Sequence, residues 1–181
     1  MGQPTIHSPA MFLLAAFSRY DEALQWGKKQ AEEKWGTIEL ESPAFEFSET
    51  EYYTSTMGPG LKKVFFGFQQ PFDPADLVDV KLLTNAWEDE YAALARHPEP
   101  RPLNLDPGYI TLGKLILAST KDFAYRIYLN RGIYAEVTLF YKHHRWQHHD
   151  CTFADYRRED YQRFFSLCRE SLHQRLRKEN D

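Results

Sequence analysis

The sequence predicts an α+β fold with a ferredoxin-like core, in which the elements follow the order β-α-β-β-α-β and the sheet is mainly antiparallel. Short apolar or alternating runs, typical of strands, recur through residues 1–120. Two apolar stripes at helical spacing separate these runs, and a β-hairpin pattern and a C-terminal amphipathic helix follow them. The length of 181 residues fits a single domain, with a core at 1–120 and an extension at 121–181.

The core elements follow from local patterns. The run Met11–Phe17 is continuously apolar, as expected of a buried strand. Asp21 is placed to cap a helix over 22–35 that Gly36 ends. The pair Asp73-Pro74 indicates the start of a second helix. The remaining core predictions are strands at 37–47 (interrupted at Pro43), around Val64–Phe68 and within 110–119, a loop at 48–60, and a second helix with the stripe Leu77, Val80, Thr84, Trp87, Tyr91 and Leu94.

The extension begins with a hairpin around Asn130-Arg131-Gly132. Pairing Leu129 with Ile133 predicts a three-residue turn and places Arg126 opposite Glu136. In this register one face of the hairpin is apolar and buried, formed by Ile127, Leu129, Ile133, Ala135 and Val137. The closing helix, roughly 155–178, carries the apolar stripe Tyr161, Phe164, Phe165, Cys168, Leu172 and Leu176.

Charge and cysteine content exclude several classes of protein. The net charge is −4, with 10 Lys or Arg against 17 Asp or Glu in residues 1–120, and 12 against 9 in residues 121–181. An acidic body argues against general affinity for nucleic acid. Two cysteines cannot form a disulfide framework, and the apolar run at 10–17 is too short to span a membrane. We therefore expect a cytoplasmic protein without membrane contact, and the oligomeric state stays open.

The segment Gly108–Leu115 nearly matches a phosphate-binding loop. Both glycines and Lys114 of the pattern G-x-x-x-x-G-K-[S/T] are in place, but Leu115 occupies the position of the magnesium-binding hydroxyl. The intervening bulky and β-branched residues favour an extended chain over a tight turn around phosphates. A GTP-binding protein with a degenerate phosphate loop is therefore the third of three functional hypotheses.

Several short strings of residues are specific in combination. They are Met1–Pro4, Glu51–Tyr53 followed by Met57-Gly58, Lys81–Asn85, Asn104–Tyr109, Arg126–Leu129, Gly132–Leu139 and Asp155–Arg157. Together these strings resemble a bacterial and archaeal family known as domain of unknown function 4416. The resemblance covers nearly the whole chain, and the chain departs from it at His143–His149. Some members carry a GTP-binding label, but the resemblance implies no activity, cofactor, ligand or catalytic residue for this chain.

The second predicted helix carries three polar residues on one face. Lys81, Asn85 and Glu88 lie at i, i+4 and i+7, beside the buried stripe. A donor, an amide and a carboxylate at that boundary could line a pocket for a polar ligand. The alternative is a solvated ion pair that contributes about 0.2–0.5 kcal/mol.

Four further candidates lie in the second half of the chain. Asn104 and Asp106 belong to a stretch of turn-forming residues, where Asp106 could also hold a metal or act as a general base. Arg126 and Glu136 could form a cross-strand pair worth about 0.2–1 kcal/mol, or they could project into a pocket beside the neighbouring tyrosines.

The histidine-rich segment 143–149 offers only weak metal candidates. A hairpin could bring His143 and His148 together, and imidazole suits zinc, nickel and copper. The spacing matches no specific metal motif, so we expect no metal site there, and the cofactor stays unknown.

The preferred hypothesis is a small-molecule binding protein or enzyme with a polar pocket for a phosphorylated or carboxylated ligand. Its cations would hold the anion, its amides would orient it, and its acids would take a metal or a proton. The residues proposed for this pocket are Lys81, Asn85, Glu88, Asn104, Asp106, Lys114, Arg126 and Glu136. The alternative is an RNA- or protein-binding module without catalysis, in which Phe66 or Phe68 stacks on bases if their sheet face is uncovered.

Overall fold

The computed structural model describes residues 2–3, 5, 7–49 and 53–178. Within these residues the chain forms nine strands and four helices. The strands are β1 Ala10–Ser18, β2 Ile38–Glu41, β3 Phe45–Phe47, β4 Leu61–Phe72, β5 Asn104–Ile110, β6 Lys114–Ser119, β7 Arg126–Asn130, β8 Ile133–Lys142 and β9 Arg145–Gln147. The helices are α1 Asp21–Trp35, α2 Thr54–Met57, α3 Leu77–Ala93 and α4 Glu159–Lys178, with short 3₁₀ turns at Pro74–Asp76 and Asp155–Arg157.

All nine described strands join one sheet of order β2-β4-β1-β5-β6-β8-β7, with β3 paired to β4 and β9 paired to β8. Every strand pair is antiparallel. The structure is thus a mixed α/β arrangement with an antiparallel sheet, as the sequence predicts at this level. Strand β1 lies inside the sheet and is buried along its whole length, because its unbroken apolar run has neighbours on both faces.

Helices cover both faces of the sheet. Alternate residues of β1, such as Phe12 and Leu14, pack with α1 and α3, whereas Met11 and Leu13 pack with α4. The predicted stripes are confirmed, since the α3 and α4 stripes are buried except for the exposed Leu94 and the half-buried Leu176. Cys168 is buried among the apolar side chains beneath α4.

Several predicted boundaries need correction. Asp21 is the first residue of α1 rather than its cap, and Tyr20 precedes the helix without a capping side chain. Gly36 does end α1, with a positive φ of 82°, and Asp73 accepts a hydrogen bond from the Ala75 amide at the predicted start. The loop predicted at 48–60 contains α2, and its residues 50–52 lie outside the described residues. Met1 and Pro4 also lie outside them.

The prediction that Asn104 and Asp106 belong to a turn is wrong, because Asn104–Ile110 forms β5. All seven residues pair with β1, from Asn104 opposite Phe17 to Ile110 opposite Met11. Pairing with the most buried strand outweighs the local preference of Asn, Asp, Pro and Gly for turns. The strand predicted within 110–119 is therefore the second arm of a hairpin, β6.

The β7–β8 hairpin pairs Arg126 with Glu136 as predicted, but its turn differs. Asn130 faces Ile133 across the two residues Arg131 and Gly132, and an irregularity between Tyr128 and Asn130 restores the expected register. The predicted buried face is wrong for β7, since Ile127 is 69% exposed. Strand β7 is the last strand in the sheet order, and Leu129 on β7 and Val137 on β8 are also exposed.

Candidate functional site

The sheet opens between β5 and β6. The two strands pair only where Gly108–Ile110 lies beside Leu115–Leu117. On the N-terminal side of Gly108, residues 104–107 of β5 pair with β1 alone. Gly108 is the residue of β5 nearest the opening that still pairs with β6. Only a glycine allows this approach, since a Cβ there would lie 2.1 Å from the Ile116 carbonyl oxygen. Pro107, which precedes it, has no N–H to donate. The strands therefore separate at this point.

A cavity of about 380 Å³ occupies the opening. Its volume is at the small end of the range of about 300–1,000 Å³ that is typical of ligand pockets. Strands β4 to β8, helix α3 and the turn before α4 all contribute walls. Its aromatic lining consists of Phe47, Tyr53, Phe123, Phe153 and Tyr156, and its polar lining includes Lys63, Lys81, Asn85, Arg101, Asn104, Asp106, Arg126, Glu136 and Asp155.

Two side chains of α3 satisfy the free edge of β5. Lys81 Nζ donates to the Leu105 carbonyl oxygen at 3.0 Å, and the Leu105 N–H donates to Glu88 Oε1 at 2.7 Å. These backbone groups lie where β6 has turned away, and an unpaired backbone group here would be costly. Lys81 and Glu88, which the sequence places on one helix face, thus both have a structural role, and Lys81 also lines the cavity.

Five ion pairs with at least one lining residue surround the cavity within the described part of the chain. They are Lys63–Asp155 at 2.5 Å, Lys81–Asp106 at 3.2 Å, Arg101–Glu88 at 2.8 Å, Arg126–Glu136 at 2.8 Å and Arg158–Glu49 at 2.7 Å. The most enclosed pairs are Lys63–Asp155 and Arg126–Glu136, with every side chain at most 7% exposed. Buried charges of this kind persist only when they are paired.

Lys63 also lies among aromatic rings. Its Nζ is 4.3 Å from the ring centre of Phe47, 4.8 Å from that of Phe17 and 5.1 Å from that of Tyr156. These distances are within the range of cation–π attraction. The ammonium group is therefore held in place by the three rings and by Asp155.

Three buried polar atoms of the cavity lining have no hydrogen-bond partner among the described residues. They are Asn104 Nδ2, Glu136 Oε1 and the Tyr156 hydroxyl, and their residues are at most 5% exposed. An unpaired buried polar atom costs about 1–3 kcal/mol. A donor, an acceptor and a hydroxyl that can do either thus remain available on different walls.

The electrostatics of the site fix the protonation of Asp106. Burial raises the pKa of its carboxyl, but the Lys81, Lys63 and Arg101 cations and the hydrogen bond from Lys81 outweigh burial, so the pKa lies below its ordinary value. Asp106 is therefore ionised at neutral pH. Burial, joined by the charges of Asp155 and Asp106, raises the pKa of Tyr156 well above its usual value, so its hydroxyl keeps its proton.

Glu88 behaves in the opposite way to Asp106. Burial raises the pKa of its carboxyl above the usual value, although Lys81 and Arg101 favour the ionised form and lower it in part. Its oxygens are engaged by the Leu105 amide and by Arg101, so it supports the wall rather than facing the cavity.

Six of the eight residues proposed from the sequence line this one cavity: Lys81, Asn85, Asn104, Asp106, Arg126 and Glu136. Glu88 lies behind the wall. Lys114 lies elsewhere, exposed at the other end of β6 beside a hollow that Thr5, His7 and Leu112 also line. The structure thus brings most of the set together from α3, β5, β7 and β8.

Sequence reasoning missed Lys63, Arg101, Asp155 and Tyr156. Lys63 alternates with the buried Phe65 on β4, so a lysine in phase with a core position was the available signal. Arg101 lies between Pro100 and Pro102, in the segment that links α3 to β5, where no periodicity applies. Asp155 and Tyr156 fall at the predicted start of the last helix, but only the fold brings them to Lys63, 92 residues away in sequence.

The near-miss phosphate loop forms a β-hairpin. Gly108–Ile110 and Leu115–Leu117 are paired strands, and the turn is closed by a hydrogen bond from the Thr111 amide to the Lys114 carbonyl oxygen at 2.9 Å. A phosphate loop leads into a helix, whereas this segment leads into β6. The extended chain expected from its β-branched residues is confirmed.

The weak metal candidates do not come together as a cluster. His143 is exposed in the β8–β9 turn and His148 is exposed after β9. The structure, in the residues it describes, has no group of three or more His, Cys, Asp or Glu side chains suited to a metal ion. Nearby, His149 Nε2 lies 2.6 Å from the Val137 carbonyl oxygen, which gives this histidine a local structural contact.

Residues 8–172 match the family described as Domain of unknown function (DUF4416). Since the match covers most of the chain, the protein belongs to this family, as the sequence strings predicted. The comparisons with curated proteins and with solved structures each gave no match. Among the described residues, no helix combines the length and the apolar character needed to cross a membrane.

Proposed function

We propose that this protein binds a small polar ligand with a phosphate or carboxylate group in the cavity between β5 and β6. The observation that carries the proposal is the set of three buried polar atoms without partners, Asn104 Nδ2, Glu136 Oε1 and the Tyr156 hydroxyl. Buried polar groups in native proteins are nearly always satisfied by protein, water or a ligand, and these three line one cavity whose volume suits a small ligand.

An acid group on the ligand is supported by the cations of the wall. Among the described residues, Lys81 Nζ uses two of its three donors, on Leu105 and Asp106, and Lys63 Nζ uses one, on Asp155. Arg101 donates through Nε and Nη2 to Glu88. Each cation therefore retains a donor for a further oxygen.

Native mass spectrometry of the purified chain tests the proposal first, followed by a thermal-shift screen of phosphorylated and carboxylated compounds. We expect at least one compound to be retained or to raise Tm, because a ligand that binds only the folded state stabilises it. If no compound is retained and none of those screened raises Tm, the proposal is wrong.

Two tyrosines provide a matched pair of variants. Tyr156 and Tyr161 are both buried with unpartnered hydroxyls, but Tyr156 lines the cavity and Tyr161 does not. We expect Tyr156→Phe to weaken ligand binding about three- to tenfold, the value of one hydrogen bond. Tyr161→Phe should leave the affinity unchanged. Equal effects in both variants, measured by titration calorimetry, would place the ligand elsewhere.

A protein-binding module is the second candidate, and strand β7 supports it. This terminal strand has one edge without a partner in the described sheet, and its side chains Ile127, Tyr128 and Leu129 are 69%, 57% and 40% exposed. Exposed apolar edge strands favour pairing with another chain. The RNA-binding alternative lacks this support, since Phe66 and Phe68 are buried beneath α1 and α3.

Analytical ultracentrifugation and pull-down experiments test this second candidate. If β7 binds a protein partner or a second copy, Ile127→Lys should abolish the association and change the stability of the monomer by no more than about 0.5 kcal/mol. Leu167→Lys, on the exposed face of α4 at 59% exposure, is the matched control. Association that survives Ile127→Lys would reject β7 as the interface.

The finer fold assignment is also a proposal. The order β2-β4-β1-β5, with antiparallel pairing and with α1 and α3 on one face, supports a ferredoxin-like core. Strand β6 joins β5 to β8, so the core and its extension share one sheet, which supports a single domain. A crystal structure with a different strand order would overturn both.

A further inference from the structure

We infer that the ligand of this cavity is a flat nitrogen heterocycle that carries a single acid group. The inference rests on the proposed function and narrows it to a class of compound. It is supported by the charge balance of the walls, by the aromatic rim of the cavity and by the positions of the unpartnered polar atoms.

The charge balance limits the ligand to a low net charge. Of the lysines and arginines that line the cavity, Lys63, Lys81, Arg101 and Arg126 each already form an ion pair with a carboxylate. Lys121 and Glu49 add one lining charge of each sign. The N–H groups of the paired cations that remain unused can donate to the oxygens of one acid group. The paired carboxylates, however, offset the positive charge of the cations. A polyphosphate would bring several negative charges close to those carboxylates, and like charges at short range in a sheltered site repel strongly.

The rim of the cavity provides two aromatic faces. Phe123 and Phe153 line the cavity yet are 59% and 41% exposed. Both rings approach the same guanidinium group, with the Arg126 Cζ at 4.7 Å from the Phe123 centre and 5.6 Å from the Phe153 centre. Large aromatic side chains left open at a cavity mouth offer stacking surfaces for a planar ring.

The polar atoms beside the rim exclude a plain hydrocarbon ring. Arg126 Nε donates to Glu136 Oε2 at 2.8 Å, so the same guanidinium ties the two rings to Glu136. The other oxygen, Glu136 Oε1, is buried without a partner in the described residues. A group that lies against the rings is therefore within reach of an acceptor, and it must supply an N–H or O–H donor. Ring nitrogens and exocyclic amines supply such donors.

The acid group belongs at the opposite wall. Arg101 Nη2 donates to Asn104 Oδ1, which sets the unpartnered Asn104 Nδ2 beside a guanidinium group. Lys81 Nζ donates to the Leu105 carbonyl oxygen and to Asp106 Oδ1 on the same strand. An amide donor between two cations is suited to the oxygens of one carboxylate or phosphate group.

Matched probes test the inference by titration calorimetry with the full chain. The four nucleoside 5′-monophosphates and orotate combine a heterocycle with one acid group. Ribose 5-phosphate lacks the ring. The nucleoside of each monophosphate lacks the acid, and the corresponding triphosphate places the same ring on a polyanion; uracil is the acid-free match for orotate. We expect at least one compound of the first set to bind about tenfold or more tightly than ribose 5-phosphate and than its own matched probes.

The double variant Phe123→Leu/Phe153→Leu should weaken the binding of the tightest compound of the first set about tenfold and leave the affinity for ribose 5-phosphate unchanged. Tyr128→Leu removes an equally exposed aromatic side chain outside the cavity and is the control. Ribose 5-phosphate or the corresponding triphosphate binding as tightly as the best monophosphate or orotate would overturn the inference and leave the proposed function intact. If no probe binds while native mass spectrometry finds another acid compound on the chain, the inference alone is wrong. If no probe binds and no compound is retained, both fail.

Discussion

At the scale of single residues, Lys63 places a positive charge where the strand pattern calls for an apolar side chain. Its register partners are Phe17 on β1 and Phe45 on β3, and its side chain is 4% exposed. Burial of an ammonium group is tolerated here because Asp155 and three aromatic rings surround it. A pair so costly to desolvate, lining a cavity, is more readily explained by binding than by stability.

The neighbouring lysines Lys62 and Lys63 on β4 allow the cost of breaking the buried ion pair to be tested. Lys63→Met leaves Asp155 buried without its partner, and we expect a loss of about 3–5 kcal/mol in the free energy of unfolding. Lys62→Met breaks the exposed pair with Asp21 and should cost no more than about 1 kcal/mol. The double variant Lys63→Met/Asp155→Leu should recover most of the loss. Urea unfolding of the variants measures these differences, and a loss in Lys63→Met no larger than that in Lys62→Met would contradict the expectation.

At the scale of elements, β5 forms part of the sheet at one end and a wall of the cavity at the other. Its residues 108–110 pair on both sides, whereas the Leu105 backbone is bound by Lys81 and Glu88 of α3. The change from pairing on both sides to pairing with β1 alone occurs at Gly108, where the Ile116 backbone leaves no room for a side chain. The position of this glycine therefore decides where the strands part.

Gly108→Ala should destabilise the protein by about 2–3 kcal/mol, because the added Cβ meets a backbone oxygen that no rotamer change can move. Gly113→Ala, in the adjoining turn, is the control: its Cβ would meet nothing within 4 Å. Thermal unfolding followed by circular dichroism compares the two. Similar Tm values for both variants would show that the close approach at Gly108 is not required.

Prediction from sequence succeeded for elements with strong periodicity and failed where the fold brings distant residues together. The stripes of α3 and α4 and the apolar run of β1 identified their own buried faces. Asn104–Gly108 has turn chemistry locally, and only its partner β1 makes it a strand. For the same reason Lys81, Asn85 and Glu88 could be grouped on one helix, whereas Lys63 and Asp155 could not be paired.

At the scale of the whole molecule, acid stability depends on the charges around the cavity. The folded-state pKa of Asp106 is lowered, so its ionised form stabilises the fold above the unfolded-state pKa of about 4, and this contribution is lost as the pH falls through the lower, folded-state pKa. Glu88 has a raised pKa, so its protonation on acidification favours the folded state and offsets part of the loss.

Asp106→Asn should therefore lower stability most at neutral pH, and its difference from the natural chain should shrink as the pH falls below about 4. Glu88→Gln should show a difference of the opposite pH dependence. Urea unfolding at a series of pH values from neutral to acid measures both. Curves for Asp106→Asn and the natural chain that stay parallel throughout would contradict this assignment of charge.

The cavity joins α3 on one side of the sheet to the turn before α4 on the other, because the strands open between them. A compound seated there would clamp both layers at once. Amide hydrogen exchange should consequently slow together in two helices that lie on opposite sides of the molecule. Occupancy of the site would thus be reported on both faces of the sheet, by α3, which lines the cavity, and by α4, whose preceding turn does.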